Sequence, residues 1–368
     1  MTPRSENELA EMVAGAAGAL CIQGGGTRPI GAALAGEKLS TAGLSGVTLY
    51  EPGALTLVAR AGTPLAEVEA VLQAESQRLA FEPMDHRGLL ETDGVPTIGG
   101  VVAANASGPR RIQVGACRDS LLGVRFVDGA GRVLKNGGRV MKNVTGYDLV
   151  KLMAGSWGTL GVLSEVSLKV QAVPEAEATL VGEDLDAQGA IEALSAALGS
   201  PFDVSGAAFV SEGGKAMIRL EGLAESVGYR VRQLQAGTCA SWSVVEAENS
   251  AALWENVRDV QPLAASKGAV WRLSVKPSDA PAVLERLSNP PAVCDWGGGL
   301  VWVAVSEEAD VRDALAGLGG HATLIKGSDG LRARVTVFQP EPAPLAAISQ
   351  GLRSQFDPRG ILNPGIME

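Results

Sequence analysis

The chain has 368 residues, 46% of them hydrophobic and 4% aromatic, which gives enough apolar surface for a substantial core and enough length for about two domains. Its 31 basic residues against 41 acidic ones leave a net charge of -10, which repels polyanions and excludes general nucleic-acid binding. Cys21, Cys117, Cys239 and Cys294 stand far apart with no CxxC spacing, so neither a disulfide framework nor a zinc or iron-sulfur site is indicated.

A reducing, cytoplasmic setting follows from the cysteine usage. The segment Met1 to Leu20 carries Glu6, Glu8 and Glu11 and lacks the shape of a secretory signal. No apolar run reaches the roughly 18 residues that a membrane span needs. The expected chain is therefore soluble, and attachment to a membrane, if any, runs through a partner.

In chain order, the apolar segment Leu20-Cys21-Ile22 leads into Gln23-Gly24-Gly25-Gly26-Thr27. Three consecutive glycines permit φ > 0 and close approach, so that successive N–H groups can converge on a phosphate; a flexible turn is the plainer reading. A valine at Gly25 would, on this view, fill the phosphate's place. Thr63 and Pro64 predict the start of a helix that carries Leu65, Val68 and Leu72 on its buried face.

Thr97 to Gly108, TIGGVVAANASG, pairs Gly99 with Gly100 and adds Asn105 and Ser107 among small residues, which suits either an extended ligand lying on main chain or a packed small-residue helix. Arg110 to Lys151 runs against the overall charge, with Arg110, Arg111, Arg118, Arg125, Arg132, Lys135, Arg139, Lys142 and Lys151 suggesting a local anion or an acidic partner. Within it lies Gly115-Ala116-Cys117-Arg118-Asp119. Val124 and Phe126, then Val166, Leu168 and Val170, alternate as half-buried strands, and Gly158 and Gly161 interrupt the apolar run just before the second of these.

Beyond Pro174 an acidic stretch (Glu175, Glu177, Glu183, Asp184, Asp186) marks the expected domain boundary. The second unit is predicted as strand Gly206 to Leu220, helix Leu223 to Gln235, strand Ser241 to Glu246, helix Leu253 to Ala265 and strand Ala269 to Val275. Helix Pro281 to Leu287, strand Leu300 to Val305, helix Ala309 to Leu318 and strand Thr323 to Lys326 follow. The units are 1–174, 175–338 and a Pro-rich tail 339–368. The fold class is α+β: a cofactor domain followed by a smaller antiparallel-sheet cap.

The order QGGGT, TIGGVVAANASG, GACRDSLLG and KNVTGYDLVKLMAGSWGTLGVLSEVSLKV resembles the PCMH-type FAD-binding family that includes vanillyl-alcohol oxidase, the D-lactate dehydrogenases and glycolate oxidase subunits. The resemblance implies a two-subdomain FAD-binding domain and assigns FAD contacts. Gly24, Gly25, Gly26 and Thr27 hold the pyrophosphate; Gly99, Gly100, Asn105, Ser107 and Gly108 lie along pyrophosphate and flavin; Gly158, Gly161 and Val162 receive the adenine end. Arg118 and Asp119 come with the third motif. The tail ILNPG resembles the family's returning segment and makes Asn363 a flavin-side candidate.

Within the family, Cys294-Asp295-Trp296-Gly297-Gly298 and Gly319-Gly320-His321-Ala322-Thr323 resemble the smaller FAD-binding subunits of bacterial glycolate oxidases. That likeness implies partners, a larger FAD-containing subunit and an iron-sulfur subunit, and a small 2-hydroxy acid as substrate of the assembly. Members that attach FAD covalently often do so through a histidine at the first glycine loop, where this chain has Gln23 and Thr27; noncovalent FAD is implied. Cys117 is read as a small buried residue.

Members that oxidise 2-hydroxy acids use a histidine-rich metal site, and the two histidines here, His86 and His321, cannot build one. No metal is expected. His321 is the candidate base, against the reading that it bonds within its own domain edge, and Arg272, Arg332 or Arg334 are candidates to hold a carboxylate. The alternatives to an accessory subunit are a self-sufficient 2-hydroxy acid dehydrogenase and a structural subunit with a vestigial FAD site.

Overall fold

The computed structural model describes residues 1–32, 35–139 and 146–367. The first four residues of KNVTGYDL, including Lys142, lie outside them.

Alternation of apolar residues builds a five-stranded sheet in the order Val47–Glu51, Thr56–Arg60, Val162–Lys169, Leu121–Val127, Val133–Gly137, every neighbouring pair antiparallel. Leu57, Val124, Phe126, Val166 and Leu168 point into a core shared with Val68 and Leu72 of the helix Leu65–Gln73. Thr63 does not cap that helix. Its hydroxyl instead donates to the Arg60 carbonyl at 2.7 Å and accepts from the Gly46 amide at 2.9 Å, tying down the turn before it.

A small parallel pair, Leu20–Gln23 with Glu37–Ser40, forms a second subdomain. The C-terminal Leu362 adds to its edge by bridging to Leu20. The start and end of the chain therefore meet beside the glycine loop.

The cap is an eight-stranded sheet in the order Ser243–Glu246, Ala176–Gly182, Lys215–Gly222, Gly206–Val210, Ala292–Asp295, Leu300–Val305, Ala269–Ser274, His321–Lys326. All its pairings are antiparallel. The expected single strand from 206 to 220 is two strands joined at Ser211 to Gly214, where Gly213 and Gly214 take φ of 73° and 53°. The helix expected at 309–318 is instead turns around one 3-10 turn, Asp313–Leu315; Gly317, Gly319 and Gly320 all take positive φ and end any helix there. The acidic stretch conceals a strand, Ala176–Gly182, and a helix, Ala187–Leu198.

Between cap and FAD domain lies a buried cluster of three arginines and three glutamates. Arg110 bonds Glu82 at 2.6 Å and Glu221 at 2.8 Å and approaches Glu177 at 3.5 Å; Arg219 bonds Glu82 at 2.8 Å; Arg78 bonds Glu221 at 2.7 Å. Trp254 lies under the Arg219 guanidinium at 4.5 Å. Part of the basic run is therefore paired within the chain: Arg110 is spent here, while Arg125 pairs with Glu6 and Arg132 with Asp128.

Candidate functional site

Two cavities meet at Ala104 and Trp157, which line both. The first, of about 140 Å³, is walled by Gln23 to Arg28, Thr97, Gly99, Gly100, Gly158, Gly161 and Asn363. The second, of about 1170 Å³, lies between the two domains and is lined by Asn105, Ser107, Gly155 and Ser156 on one side and Arg272, Ser274, Trp302, His321 and Thr323 on the other.

The first cavity is made by loops that approach backbone to backbone. Gly26 has φ 73°, but Gly25 does not have positive φ. A Cβ on Gly25 would run into the Val95 carbonyl, and one on Gly94 into the Gly25 carbonyl. The triplet is therefore glycine because a second loop, Gly94-Val95, lies against it, which the sequence reading did not find. A Cβ on Gly100, in contrast, would meet only Thr97 Oγ1 at 3.2 Å and Arg28 Nη1 at 3.7 Å, so Gly100 opens onto the cavity.

Thr97 caps the helix Ile98–Ala103 and accepts from the Gly100 amide at 3.3 Å. TIGGVVA is thus a helix, and its first amides are engaged: Ile98 donates to Thr63 and Gly99 to Ala61. The backbone N–H groups of Gly24 to Thr27 donate to no protein acceptor among the described residues. Such a row of unengaged amides beside a part-buried guanidinium is what a phosphate group requires.

That guanidinium is Arg28, whose place in the site was not foreseen. Its Nε donates to His86 Nδ1 at 3.1 Å and its Nη2 to the Met84 carbonyl at 3.0 Å. Both partners are neutral. Burial pushes Arg28 down to about 10, partly offset by Asp85. His86 is held well below its ordinary value by burial and by the Arg28 charge, so its ring is neutral and Nδ1 is the acceptor.

Asn363 is tied at both ends of its amide: Oδ1 accepts from the Ile22 N–H at 2.7 Å and Nδ2 donates to the Trp157 carbonyl at 2.8 Å. It joins the first glycine strand to the Gly155–Gly161 turn and so positions the cavity wall. Asn105 and Ser107 line the second cavity while their oxygens accept from the Arg118 and Cys117 amides, each at 2.9 Å. The Asp119 carboxylate accepts from the Ala116 amide at 2.9 Å. Gly108, Arg118, Asp119 and Val162 line neither cavity; Val162 is a core residue packed with Leu9 and Val127.

His321 begins the last cap strand and lines the second cavity. Burial and then Arg272 lower its pKa, so it is neutral at pH 7. Of the arginine candidates only Arg272 faces this cavity. Arg332 donates to the carbonyls of Gly31, Ile325 and Gly327, and exposed Arg334 pairs with Glu308 at 3.3 Å. The described residues hold no cluster of His, Cys, Asp and Glu that could bind a metal.

The chain is 37% identical over 353 residues to glycolate oxidase subunit GlcE of Escherichia coli K12, a match covering 95% of this chain and 92% of that protein. The chain belongs to the GlcE family of glycolate oxidase subunits. Residues 1–137 match the family described as FAD binding domain. Glycolate oxidase subunit GlcD of Bacillus subtilis is 34% identical over 139 residues, 37% of this chain and 26% of that one. The solved structure of alkyldihydroxyacetonephosphate synthase superposes with a TM-score of 0.70 at 16% identity, covering 99% of this chain and 76% of that one, and shows the shared fold.

The chain is accordingly an FAD-binding oxidoreductase of PCMH-type fold. The unengaged amides of Gly24 to Thr27 with Arg28 fit the pyrophosphate, and the adjoining cavity has room for the ring system. None of the described helices is long and apolar enough to cross a membrane.

Noncovalent attachment is expected to show as release of all flavin into the supernatant on acid precipitation. Cys117, the nearest thiol of the third motif, is fully buried and lines neither cavity, and burial pushes it up to about 12. Flavin retained in the pellet would point to covalent attachment and reject this.

Proposed function

We propose that this chain is the FAD-binding subunit of a glycolate oxidase assembly that oxidises glycolate to glyoxylate together with a larger FAD-containing subunit and an iron-sulfur subunit. The observation that carries the reading is the extent of the likeness to GlcE: it runs over 95% of the chain, through the cap as well as the glycine loops, whereas the match to GlcD covers 37%. In this reading residues 1–174 form the FAD domain, 175–338 the cap and 339–368 the returning segment. Membership of two separate sheets supports the first division, and Asn363 bonded to Ile22 and Trp157 supports the last. The assembly works in the cytoplasm, and contact with a membrane is made through its partners.

Bound FAD supplies the two-electron chemistry. The chain's own residues hold it: Gly24 to Thr27 and Arg28 neutralise the pyrophosphate, Asn363 fixes the wall, and the cap supplies the far wall of the second cavity. Proton abstraction from a hydroxy acid needs a positioned base, which typically contributes about 10²–10⁴-fold. His86 has its basic nitrogen engaged by Arg28, and His321 stands beside the Arg272 charge that depresses it. An accessory electron-transfer role fits these residues better than independent turnover.

Anaerobic mixing of the FAD-loaded chain with excess glycolate is therefore expected to leave the flavin band unbleached, with glycolate-dependent dye reduction appearing after its partner subunits are added. Rapid bleaching by the isolated chain would replace this reading with that of a self-sufficient dehydrogenase. Loss of that bleaching in His321→Ala would then make His321 the base.

A further inference from the structure

Strand pairing puts Trp302 and Thr323 on either side of Arg272, and His321 opposite Ser274 one step further along. Side chains two residues apart share a sheet face, so these residues form one patch, and all of them line the cavity between the domains. From the FAD domain Arg111 reaches the same place. The Trp296 ring centre lies 4.4 Å from the Arg111 guanidinium and 5.5 Å from that of Arg272, and the Trp302 ring centre 5.9 Å from Arg272.

Neither guanidinium has a hydrogen bond or an ion pair with the protein among the described residues, in contrast to the arginines of the interdomain cluster. Cation–π contact recovers only part of what taking an ion out of water costs. The two charges also repel each other. Burial, then Arg111, pushes Arg272 down to about 10, and the carboxyl whose charge acts on it, Asp295, is itself pushed up to about 7 by burial and accepts from the Trp296 amide at 2.7 Å. Two cations directed into one cavity, with no carboxylate paired to either among the described residues, are arranged for an anion that arrives from outside.

We propose that Arg111 and Arg272 bind the carboxylate of a small 2-hydroxy or 2-oxo acid in the interdomain cavity, with Ser274, His321 and Thr323 taking the adjacent oxygen. The planar guanidinium fork matches a carboxylate, and the three neutral partners can each donate or accept a hydrogen bond to a hydroxyl or keto oxygen. The FAD pyrophosphate does not compete for this place, because the unengaged amides and Arg28 lie in the other cavity. The need for an anion rests on the two unpaired arginines; the naming of the acid class rests on the glycolate oxidase reading.

The test is binding of glycolate to the FAD-loaded full chain, followed by tryptophan fluorescence and by displacement of the flavin absorption bands, with acetate and sulfate as comparison anions. Glycolate should saturate the signal and bind several-fold more tightly than either comparison anion. Arg272→Gln should weaken it roughly 10- to 100-fold by removing a charge-assisted pair. Arg272→Lys should restore part of the loss, and Arg334→Gln should change nothing.

Arg111→Gln, on the opposite wall, provides the same reading should Arg272→Gln lose flavin. Equal affinity in wild type and both glutamine variants, or sulfate or acetate binding as tightly as glycolate, overturns the proposal. An assembly that oxidises glycolate while this chain binds none would remove the inference and leave the subunit assignment standing.

Discussion

Gly25→Val protein is expected to purify folded but colourless. The added side chain begins inside the contact distance of the Val95 carbonyl, and a peptide group cannot rotate away as a side-chain tip can. Accommodating it means separating the Gly24–Thr27 loop from the Gly94–Val95 loop, and the unengaged amides then no longer converge with Arg28. Since a phosphate cradle draws its affinity from several donors held at once, the expected loss is roughly 100-fold or more.

Flavin absorbance per chain measures the loss, and circular dichroism establishes that the fold persists. Gly94→Val should reproduce the effect from the facing loop, although that residue belongs to none of the glycine motifs. Gly53→Ala is the control, because a Cβ there meets nothing within 4 Å. A yellow Gly25→Val protein with full flavin content would refute the placement of the pyrophosphate on the first loop.

The contrast between Gly25 and Gly94 shows what the sequence made legible. Runs of glycine announce themselves, and the four glycine-containing segments were expected to serve one ligand. The structure gathers the first loop, Gly99-Gly100 and Gly158-Gly161 into one cavity. The partner of a close approach is invisible until the chain folds, because it depends on where a carbonyl 70 residues away arrives. The same limit applies to Arg110. It stands in a basic run that suggests an anion or an acidic partner, yet its partners Glu82, Glu177 and Glu221 come from three other segments of the same chain.

Strand Leu300–Val305 was legible to its exact ends because it is apolar throughout and bounded by glycines and acids. Strand Ala176–Gly182 was not, because the acidic residues around it look solvated while Glu177 is bound in the cluster. Arg272 was named as one of three arginine candidates, and the strand pattern singles it out among them. In Val270, Arg272, Ser274 the charged residue occupies the same face as its apolar neighbour, in a strand with Trp271 and Leu273 on the other face. An arginine at that position in an otherwise apolar strand must find an anion, an aromatic face or a cavity, and here it meets the latter two.

Glu221→Gln should cost the protein about 3–5 kcal/mol, because it leaves Arg78, Arg110 and Arg219 buried with a carboxylate too few. Burial raises Glu82 and Glu221, but Arg219 and Arg110 outweigh it and hold both below the ordinary carboxylate value. A carboxylate lowered by folding contributes stability that is present above its unfolded value of about 4.3 and lost as pH falls through its folded value. Glu177, raised mainly by burial, works in the opposite sense and offsets part of this.

Wild-type protein should therefore loosen between cap and FAD domain on acidification below about pH 4, and Glu221→Gln should already be loosened at pH 7. Removing charge from both sides tests the mechanism further. Arg110→Met with Glu221→Leu leaves two arginines facing two glutamates, so the double variant should be more stable than Glu221→Gln alone despite losing more hydrogen bonds. Urea unfolding of the three proteins at pH 7, with flavin fluorescence reporting separation of the domains, gives the order. A double variant less stable than the single one would mean that geometry, and not charge balance, holds the two domains together.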